Sequence, residues 1–225
     1  MKQINTYICE RLHINKDIKS YIYHPKTKKE LNELVNKLIK ERGIEADLND
    51  IDTSEITDMS YVFANSNFNG DISNWDVSKV KDMMCMFEDS KFTAENGDIS
   101  NWDVSNVKDM TNMFCNSNFN GDISKWNVSN VKEMAGMFAY SKFTGDISNW
   151  DVSKVITMYG MFSNSEFNND ISKWNVSNVE NMEDMFYNSK FNGDISKWNV
   201  NKVEDMHSMF DGSPLEKNQP KWYKN

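Results

Sequence analysis

Tryptophan recurs along the chain at a nearly fixed interval. The seven residues are Trp75, Trp102, Trp126, Trp150, Trp174, Trp198 and Trp222, and every interval is 24 residues except the first, which is 27. A fixed period of this size is typical of a protein built by stacking one small structural unit. A stack of near-identical units leaves little room for one asymmetric catalytic pocket, so the sequence predicts a protein that is not an enzyme.

The repeating unit has a consistent sequence when the copies are aligned on tryptophan. It reads F-N-G-D-I-S-(N/K)-W-(D/N)-V-S-(N/K)-V-x-x-M-x-x-M-F. Full units start near Asp47, Asp71, Asp98, Asp122, Asp146, Asp170 and Asp194. The longer interval comes from an inserted segment, residues 94–96, which we expect to form a local bulge. The first unit carries Ile51 in place of tryptophan, as expected for a terminal repeat.

Two hydrophobic periodicities lie within each unit. Trp75 and Val77 alternate with polar residues, which predicts a short strand with both side chains facing inward. The apolar residues that follow at helical spacing are Val80, Met83, Met86 and Phe87. Ser78 before them suits a helix N-cap. We therefore expect an α/β solenoid, a leucine-rich-repeat-like right-handed coil of about seven strand-helix repeats with a small helical N-terminal cap.

The methionine and tryptophan columns invite functional interpretations. Methionine sulfur binds copper, and a row of exposed indole rings suits carbohydrate. However, both columns keep the spacing of the valines and phenylalanines around them, which favours burial in the core. We expect each indole N–H to donate to a carbonyl of a neighbouring coil.

The two ends of the chain depart from the repeat. Thr27 and Glu30 form a capping box ahead of an apolar stripe that closes before Gly43, which predicts a helix over residues 28–42. An amphipathic stretch with Ile4, Tyr7, Ile8 and Leu12 precedes it, and the segment 21–23 suits a short strand. We divide the chain into an N-terminal helical cap or anchor (1–46), the repeat region (47–217) and a C-terminal cap or tail (218–225).

Composition excludes several classes of partner. The net charge is −9 and Arg11 and Arg42 are the only arginines, so a general nucleic-acid binder is not expected. No apolar run is long enough for membrane insertion, and no signal peptide is recognisable at the N-terminus. We expect a cytoplasmic or virion-associated protein, with surface exposure left open. In that setting Cys9, Cys85 and Cys115 should be reduced thiols.

Candidate catalytic residues are sparse. His13, His24 and His207 are scattered, and no phosphate-binding loop or zinc spacing is present, so we predict no catalytic residues and no cofactor. The aspartates before Ile-Ser form a column that suits calcium between coils or, alternatively, caps the turn backbone. The column consists of Asp71, Asp98, Asp122, Asp146, Asp170 and Asp194.

The residues on either side of each tryptophan are the candidate binding surface. The pairs are Asn74/Asp76, Asn101/Asp103, Lys125/Asn127, Asn149/Asp151, Lys173/Asn175 and Lys197/Asn199. Where the first member is lysine the second is always asparagine, so each coil is either acidic or basic. On the expected outer sheet face, charge changes from acidic in the first coils to basic in the last two. Such a gradient suits recognition of another protein, but these residues also keep a solvated sheet soluble.

The strings DISNWDVS, DISKWNVS, FNGDIS and VKDMxxMF resemble the BspA-like leucine-rich-repeat surface proteins, a repeat also known as a mycoplasma domain of unknown function. The resemblance covers residues 47 to about 217. It implies a leucine-rich-repeat fold, a role in adhesion or protein binding, and no catalytic residues. Compact versions without a signal sequence resemble proteins of gut bacteria and their phages.

We therefore expect a non-enzymatic recognition protein of bacterial or phage origin. It would be monomeric and would bind an unidentified protein partner through the residues beside tryptophan. The alternative is a structural component of a virion or scaffold, anchored through residues 1–46.

Overall fold

A computed structural model of the protein describes residues 21–224. The amphipathic stretch predicted around Ile4, Tyr7, Ile8 and Leu12 lies outside the described residues, as do Cys9 and His13. Within the described part, no helix has both the length and the apolar character needed to cross a membrane.

Helix α1 spans Lys28–Arg42, in agreement with the sequence prediction. The Thr27 hydroxyl accepts the Glu30 N–H at 3.2 Å, and the Glu30 carboxylate accepts the Lys26 N–H at 2.6 Å, so the first turn is capped from both directions. Leu31, Val35 and Leu38 on one face are fully buried. The helix therefore covers the apolar end of the first coil.

The repeats contain neither the predicted strands nor the predicted helices. Apart from α1, the regular elements of residues 21–224 are one short 3₁₀ helix, Pro214–Lys217, and isolated single-residue bridges. The expected α/β solenoid of strand-helix repeats is therefore wrong. Each unit is instead a succession of tight turns, and the segment 21–23 contributes one parallel bridge, Tyr23 to Ile51, rather than a strand.

Two tight turns replace the predicted strand. The Trp75 N–H donates to the Ile72 carbonyl at 3.1 Å, and the Val80 N–H donates to the Val77 carbonyl at 2.9 Å. Trp75 and Val77 are both buried, as the alternating pattern indicates, but only this short stretch between two turns is extended. Ser78 lies in the second turn, so it does not cap a helix.

A second series of turns replaces the predicted helix, as segment 158–165 illustrates. The N–H groups of Met161, Ser163 and Ser165 donate to the carbonyl three residues earlier, at 3.1, 3.0 and 3.3 Å. Gly160 and Asn164 adopt positive φ angles of 57° and 54°. An α-helix cannot continue through a left-handed residue, so the apolar residues are brought to one side by successive turns.

Apart from Gly43 and Ala94, the left-handed residues of the described structure form two columns, two positions before and two positions after the central phenylalanine of each unit. The first column is Tyr61, Cys85, Asn112, Gly136, Gly160, Asp184 and Ser208. The second is Asn65, Asp89, Asn116, Tyr140, Asn164, Asn188 and Gly212. Asn, Asp and Gly predominate because their left-handed conformation costs less than that of other residues.

The remaining N–H groups of this segment join one coil to the next. Those of Met158, Gly160, Phe162 and Asn164 donate to carbonyls of the following coil at 2.7–2.9 Å. The acceptors are Asn181, Glu183, Met185 and Tyr187. Amides that bond within the turn therefore alternate with amides that bond to the next coil. This arrangement gives the backbone N–H groups hydrogen-bond acceptors without extended strands. A parallel bridge at the same position joins each coil to the next, as between Thr157 and Asn181.

Two columns of phenylalanine fill the interior. Rings in the column from Phe63 to Phe210 have centroids 5.4–6.0 Å from the next coil's ring. Rings in the column from Phe68 to Phe191 are 6.1–6.4 Å apart. The methionines of the central coils, such as Met158 and Met161, are fully buried, and Met206 in the last coil is partly buried. The core assignment of the methionine and phenylalanine columns is therefore confirmed.

The tryptophans are also buried, and their indole groups tie adjacent coils together. Trp126, Trp150 and Trp174 donate Nε1–H to the carbonyl of the isoleucine 27 residues earlier, each at 3.1 Å. Trp102 differs, because its Nε1 is buried without a hydrogen-bond partner in the described structure. It follows the inserted residues 94–96, which lie in a bend of the chain.

Candidate functional site

The predicted binding residues lie on the outer side of the stack. All twelve residues that flank Trp75, Trp102, Trp126, Trp150, Trp174 and Trp198 are exposed, while the tryptophans between them are buried. The first member of each pair lies on a turn and the second on the short link between two turns, rather than on the expected sheet. We call these twelve residues, from Asn74 to Asn199, the tryptophan-flanking face.

The second member of each pair caps a turn. The side-chain Oδ1 of Asp76 accepts the Ser78 N–H at 3.0 Å, and that of Asn127 accepts the Ser129 N–H at 3.2 Å. The same bond recurs at Asp103, Asp151, Asn175 and Asn199. Aspartate and asparagine both supply this oxygen, so the charge of a coil can change without loss of its turn.

The charge of the tryptophan-flanking face changes along the stack. Asp76 and Asp103 lie in neighbouring coils near the N-terminal end, whereas Lys173 and Lys197 lie in neighbouring coils near the other end. The coils between carry Lys125 and then Asp151. The turn hydrogen bonds from Ser153 hold the pKa of Asp151 below its usual value, so this carboxylate is ionised at neutral pH.

A concavity of about 330 Å³ lies at the acidic end of this face. Its lining includes Asn74, Asp76, Asn101 and Asp103 together with Tyr21. Burial raises the pKa of the Tyr21 hydroxyl, and the charges of Asp52 and Asp76 raise it further. Sequence reasoning missed Tyr21, because nothing in the segment before α1 indicates that it reaches the second and third coils.

The aspartate column was predicted either to bind calcium between coils or to cap the turn backbone, and its hydrogen bonds are those of turn caps. The Oδ1 atom of each aspartate accepts the N–H two residues later at 2.8–2.9 Å. These bonds, from Ser124 and Ser148 for example, lower the pKa of Asp122 and Asp146. Among residues 21–224, no three His, Cys, Asp or Glu side chains are grouped closely enough to hold a metal ion.

A second acidic column occupies the bridge positions. Asp58, Asp82, Asp109 and Glu133 lie in four consecutive coils, each bridged to the next. Burial raises the pKa of Asp82, and repulsion from Asp58 and Asp109 raises it further. In the later coils Thr157 and Asn181 take the same position. The sequence analysis missed this column, because its position in the repeat varies between acidic and neutral residues.

The remaining reactive side chains do not converge on a shared site in the described structure. His24 contacts Asp52 at 3.1 Å, and His207 contacts Asp205 at 2.9 Å near the other end of the stack. Cys85 and Cys115 are free thiols, and burial raises the pKa of each to about 11. Both thiols are therefore protonated at neutral pH, which disfavours nucleophilic chemistry.

Comparison with protein families agrees with the repeat structure. The model of the family described as Mycoplasma protein of unknown function, DUF285, matches residues 29–142 and 115–222. These overlapping matches span α1 and nearly the whole stack. The chain belongs to the DUF285 family. Neither the curated proteins nor the solved structures gave a match to this DUF285 protein.

Proposed function

We propose that this DUF285 protein is a non-enzymatic recognition protein that binds another protein through the tryptophan-flanking face. The observation that carries the proposal is that three consecutive residues of each coil have three separate roles. The tryptophan is buried and hydrogen-bonded to the preceding coil, and the aspartate or asparagine after it caps the turn. The residue before it is exposed and varies between asparagine and lysine. Such variation on a rigid support can encode specificity without loss of stability.

The charge distribution favours a protein over a nucleic acid as the partner. Lys125 is separated from Lys173 by the coil that carries Asn149 and Asp151, and only Lys173 and Lys197 lie in neighbouring coils, so the three lysines do not form a continuous basic groove. A phosphate backbone would also be repelled by the overall charge of −9. A protein with its own alternating charges can match both ends of the face.

The sequence relationship is proposed to extend beyond DUF285 to the BspA-like surface proteins. The shared strings DISNWDVS and DISKWNVS include both the buried tryptophan and the exposed residues beside it. This relationship would make adhesion-type binding by a bacterial or phage protein the function, whether the protein acts in the cytoplasm, on a virion or at a cell surface.

A structural role in a virion or scaffold, with attachment through residues 1–46, is the alternative. Ile22 and Ile44, on either side of α1, are 64% and 50% exposed. Exposed aliphatic side chains at one end of a polar protein suit an attachment point. However, the apolar face of α1 already covers the first coil, so within residues 21–46 only these two large aliphatic side chains are exposed.

The test is a charge reversal on the tryptophan-flanking face. Affinity capture with the intact protein identifies the partner, and the purified partner is then titrated against a variant with Lys125, Lys173 and Lys197 changed to Glu. We expect at least about tenfold weaker binding with an unchanged unfolding midpoint.

The matched control changes three exposed lysines away from this face, Lys91, Lys108 and Lys217, to Glu. It produces the same change in net charge and should bind within about twofold of the natural protein. Equal losses in both variants would contradict a specific face. Binding that survives both but disappears when residues 1–46 are replaced by an unrelated capping helix would support the anchored structural role.

A further inference from the structure

Three exposed tyrosines lie on the turn segments of three consecutive coils. Tyr140, Tyr159 and Tyr187 are 60%, 44% and 36% exposed, and they are three of the most exposed large hydrophobic residues in the described structure. We call them the tyrosine patch. They lie on the segments that carry the left-handed columns, away from the residues that flank tryptophan.

Backbone hydrogen bonds place these tyrosines in adjacent coils. The Gly136 N–H donates to the Tyr159 carbonyl at 2.7 Å, and the Asn164 N–H donates to the Tyr187 carbonyl at 2.7 Å. The Tyr140 N–H donates to the Ser163 carbonyl at 2.8 Å. With coils about 5 Å apart, the patch extends about 10 Å along the stack. Gly136, Gly160 and Ser163 between the tyrosines are small, so the aromatic rings stand out from their surroundings.

Neither packing nor backbone preference explains Tyr140. Its φ angle is 55°, a left-handed conformation that is costly for a bulky side chain. Asn116, Asn164 and Asn188 occupy the same position in other coils and adopt this conformation more readily. A residue that strains the backbone and remains mostly exposed does not contribute to folding, which points to a contact outside the chain.

The patch is uncharged but has acidic borders along the stack. The stretches 134–141 and 155–165 contain no charged residue. Glu133 lies in the first coil of the patch, and Glu183 and Asp184 lie in its last coil. The coil before the patch carries Asp109, and the coil after it carries Asp211. Burial raises the pKa of Asp184, and repulsion from Asp211 and Asp205 adds to it. Beyond the buried serines, the opposite border carries Lys142, Glu166 and Lys190, so it has mixed charge. On the bridge side, the exposed Lys132 lies beside Glu133, and the acidic residues predominate at the end near Glu183 and Asp184.

We propose that the tyrosine patch binds a protein partner whose contact surface has an apolar centre between lysine or arginine side chains. Tyrosines surrounded by small residues form typical protein contact surfaces, because they bury a large area and lose little side-chain entropy. Cations at the ends of the partner surface would pair with Glu133 on one side and with Glu183 and Asp184 on the other. This proposal rests on the protein-recognition function proposed above and assigns it a second surface.

The chain itself supplies conservative replacements for each tyrosine. Asn164, Thr111 and Ser163 occupy, in other coils, the positions of Tyr140, Tyr159 and Tyr187. A triple variant, Tyr140→Asn, Tyr159→Thr and Tyr187→Ser, therefore retains side chains that the fold accepts at these positions. The matched control is Tyr61→Asn, because Tyr61 is 46% exposed and left-handed but lies three coils away from the patch.

The experiment uses a yeast-displayed library of random peptides, selected on the intact protein and then titrated against each variant. Dominant peptides should combine aromatic or aliphatic residues with lysine or arginine. They should bind the triple variant at least about tenfold more weakly and the Tyr61→Asn control within about twofold. Added salt should weaken their binding, because the end contacts are ionic.

Other outcomes overturn the proposal in distinguishable ways. Some peptides could bind the triple variant normally but lose affinity for the charge-reversal variant at Lys125, Lys173 and Lys197. That result would exclude the tyrosine patch as the binding site and support the tryptophan-flanking face. Peptides that bind both variants normally would contradict both surfaces. If the natural protein binds an array of neutral glycans and the triple variant does not, the patch is a carbohydrate site and the protein-partner assignment is wrong.

Discussion

Substitution of tryptophan by phenylalanine at two positions separates the contribution of the indole hydrogen bond from that of the buried ring. The Trp150 Nε1–H donates to the Ile123 carbonyl at 3.1 Å. The Trp102 Nε1–H is buried without a partner among the described residues. The two side chains are 4% and 5% exposed, and each packs against one phenylalanine with ring centroids 6.3–6.4 Å apart. Trp102 also stacks on Trp126 at 6.4 Å, a contact in which phenylalanine can replace the indole ring.

The expected difference in the free energy of unfolding depends on whether the indole N–H has a hydrogen-bond partner in the natural protein. Both substitutions remove the same atoms, so the cost of the smaller ring largely cancels. Trp150→Phe also loses a hydrogen bond worth about 1 kcal/mol, although Ile123 still accepts the Trp126 N–H at 3.1 Å. Trp102→Phe removes an unpartnered buried donor whose desolvation costs about 1–3 kcal/mol. Trp150→Phe should therefore lower the free energy of unfolding by about 2–4 kcal/mol more than Trp102→Phe.

Urea unfolding followed by circular dichroism and by the fluorescence of the remaining tryptophans measures the difference. The comparison is valid if both probes coincide and the denaturant slopes of the two variants agree, since repeat stacks can unfold in parts. Equal free energies of unfolding for the two variants would refute the reasoning. It would mean that the indole hydrogen bonds do not contribute to stability or that the insertion leaves the Trp102 N–H satisfied.

Four further outcomes follow from the turns and the acidic columns. Tyr140→Asn should stabilise the protein by about 1 kcal/mol in thermal unfolding, because asparagine tolerates the left-handed conformation; a destabilised variant would contradict that backbone assignment. Gly160→Ala should destabilise it by about 1 kcal/mol, since φ is 57° and the nearest other atom to an added Cβ is 3.9 Å away, so strain rather than a clash is measured. Asp82→Asn should stabilise the folded state at neutral pH by a few tenths of a kcal/mol, with Asn181→Asp having the opposite effect. The folded-state pKa of Asp82 is raised, so its protonation favours folding and the advantage of asparagine should vanish below about pH 4; a benefit that persists there is not electrostatic. The unfolding temperature should be the same in calcium and in chelator, because each column aspartate already caps its own turn, and a rise of several degrees with calcium would reverse that conclusion.

The sequence predicted the positions that are buried but not the backbone that buries them. Met158, Met161 and Phe162 fit the face of a helix, yet the same spacing arises from turns of four residues. The distinguishing signal is Gly160 and Asn164 on either side of Phe162. Small or amide residues recur at these two positions in most units, and a helix interior disfavours them.

The predicted strand was wrong for a related reason. Alternation between Trp75 and Val77 covers only one pair of inward residues, which is too short to distinguish a strand from an extended link between turns. The Asp-Ile-Ser and Asp-Val-Ser strings on either side favour turns, because each aspartate accepts the serine N–H. By contrast, α1 was predictable from local information, namely the Thr27 cap, the apolar stripe and Gly43.

The candidate surfaces were only partly accessible to sequence reasoning. Exposure of the residues beside tryptophan followed from the burial of the ring between them. The proximity of Tyr140, Tyr159 and Tyr187 did not, because these residues occupy three different positions of the repeat. They share one surface only because coils bond to each other through alternate residues of the turn segment.

Scalar coupling across hydrogen bonds in an NMR spectrum tests the turn-built stack most directly. The amide nitrogens of Met158, Gly160, Phe162 and Asn164 should couple to the carbonyl carbons of the next coil. The expected partners are Asn181, Glu183, Met185 and Tyr187. Couplings to the carbonyl four residues earlier would show that this segment is an α-helix and would contradict the structure described above.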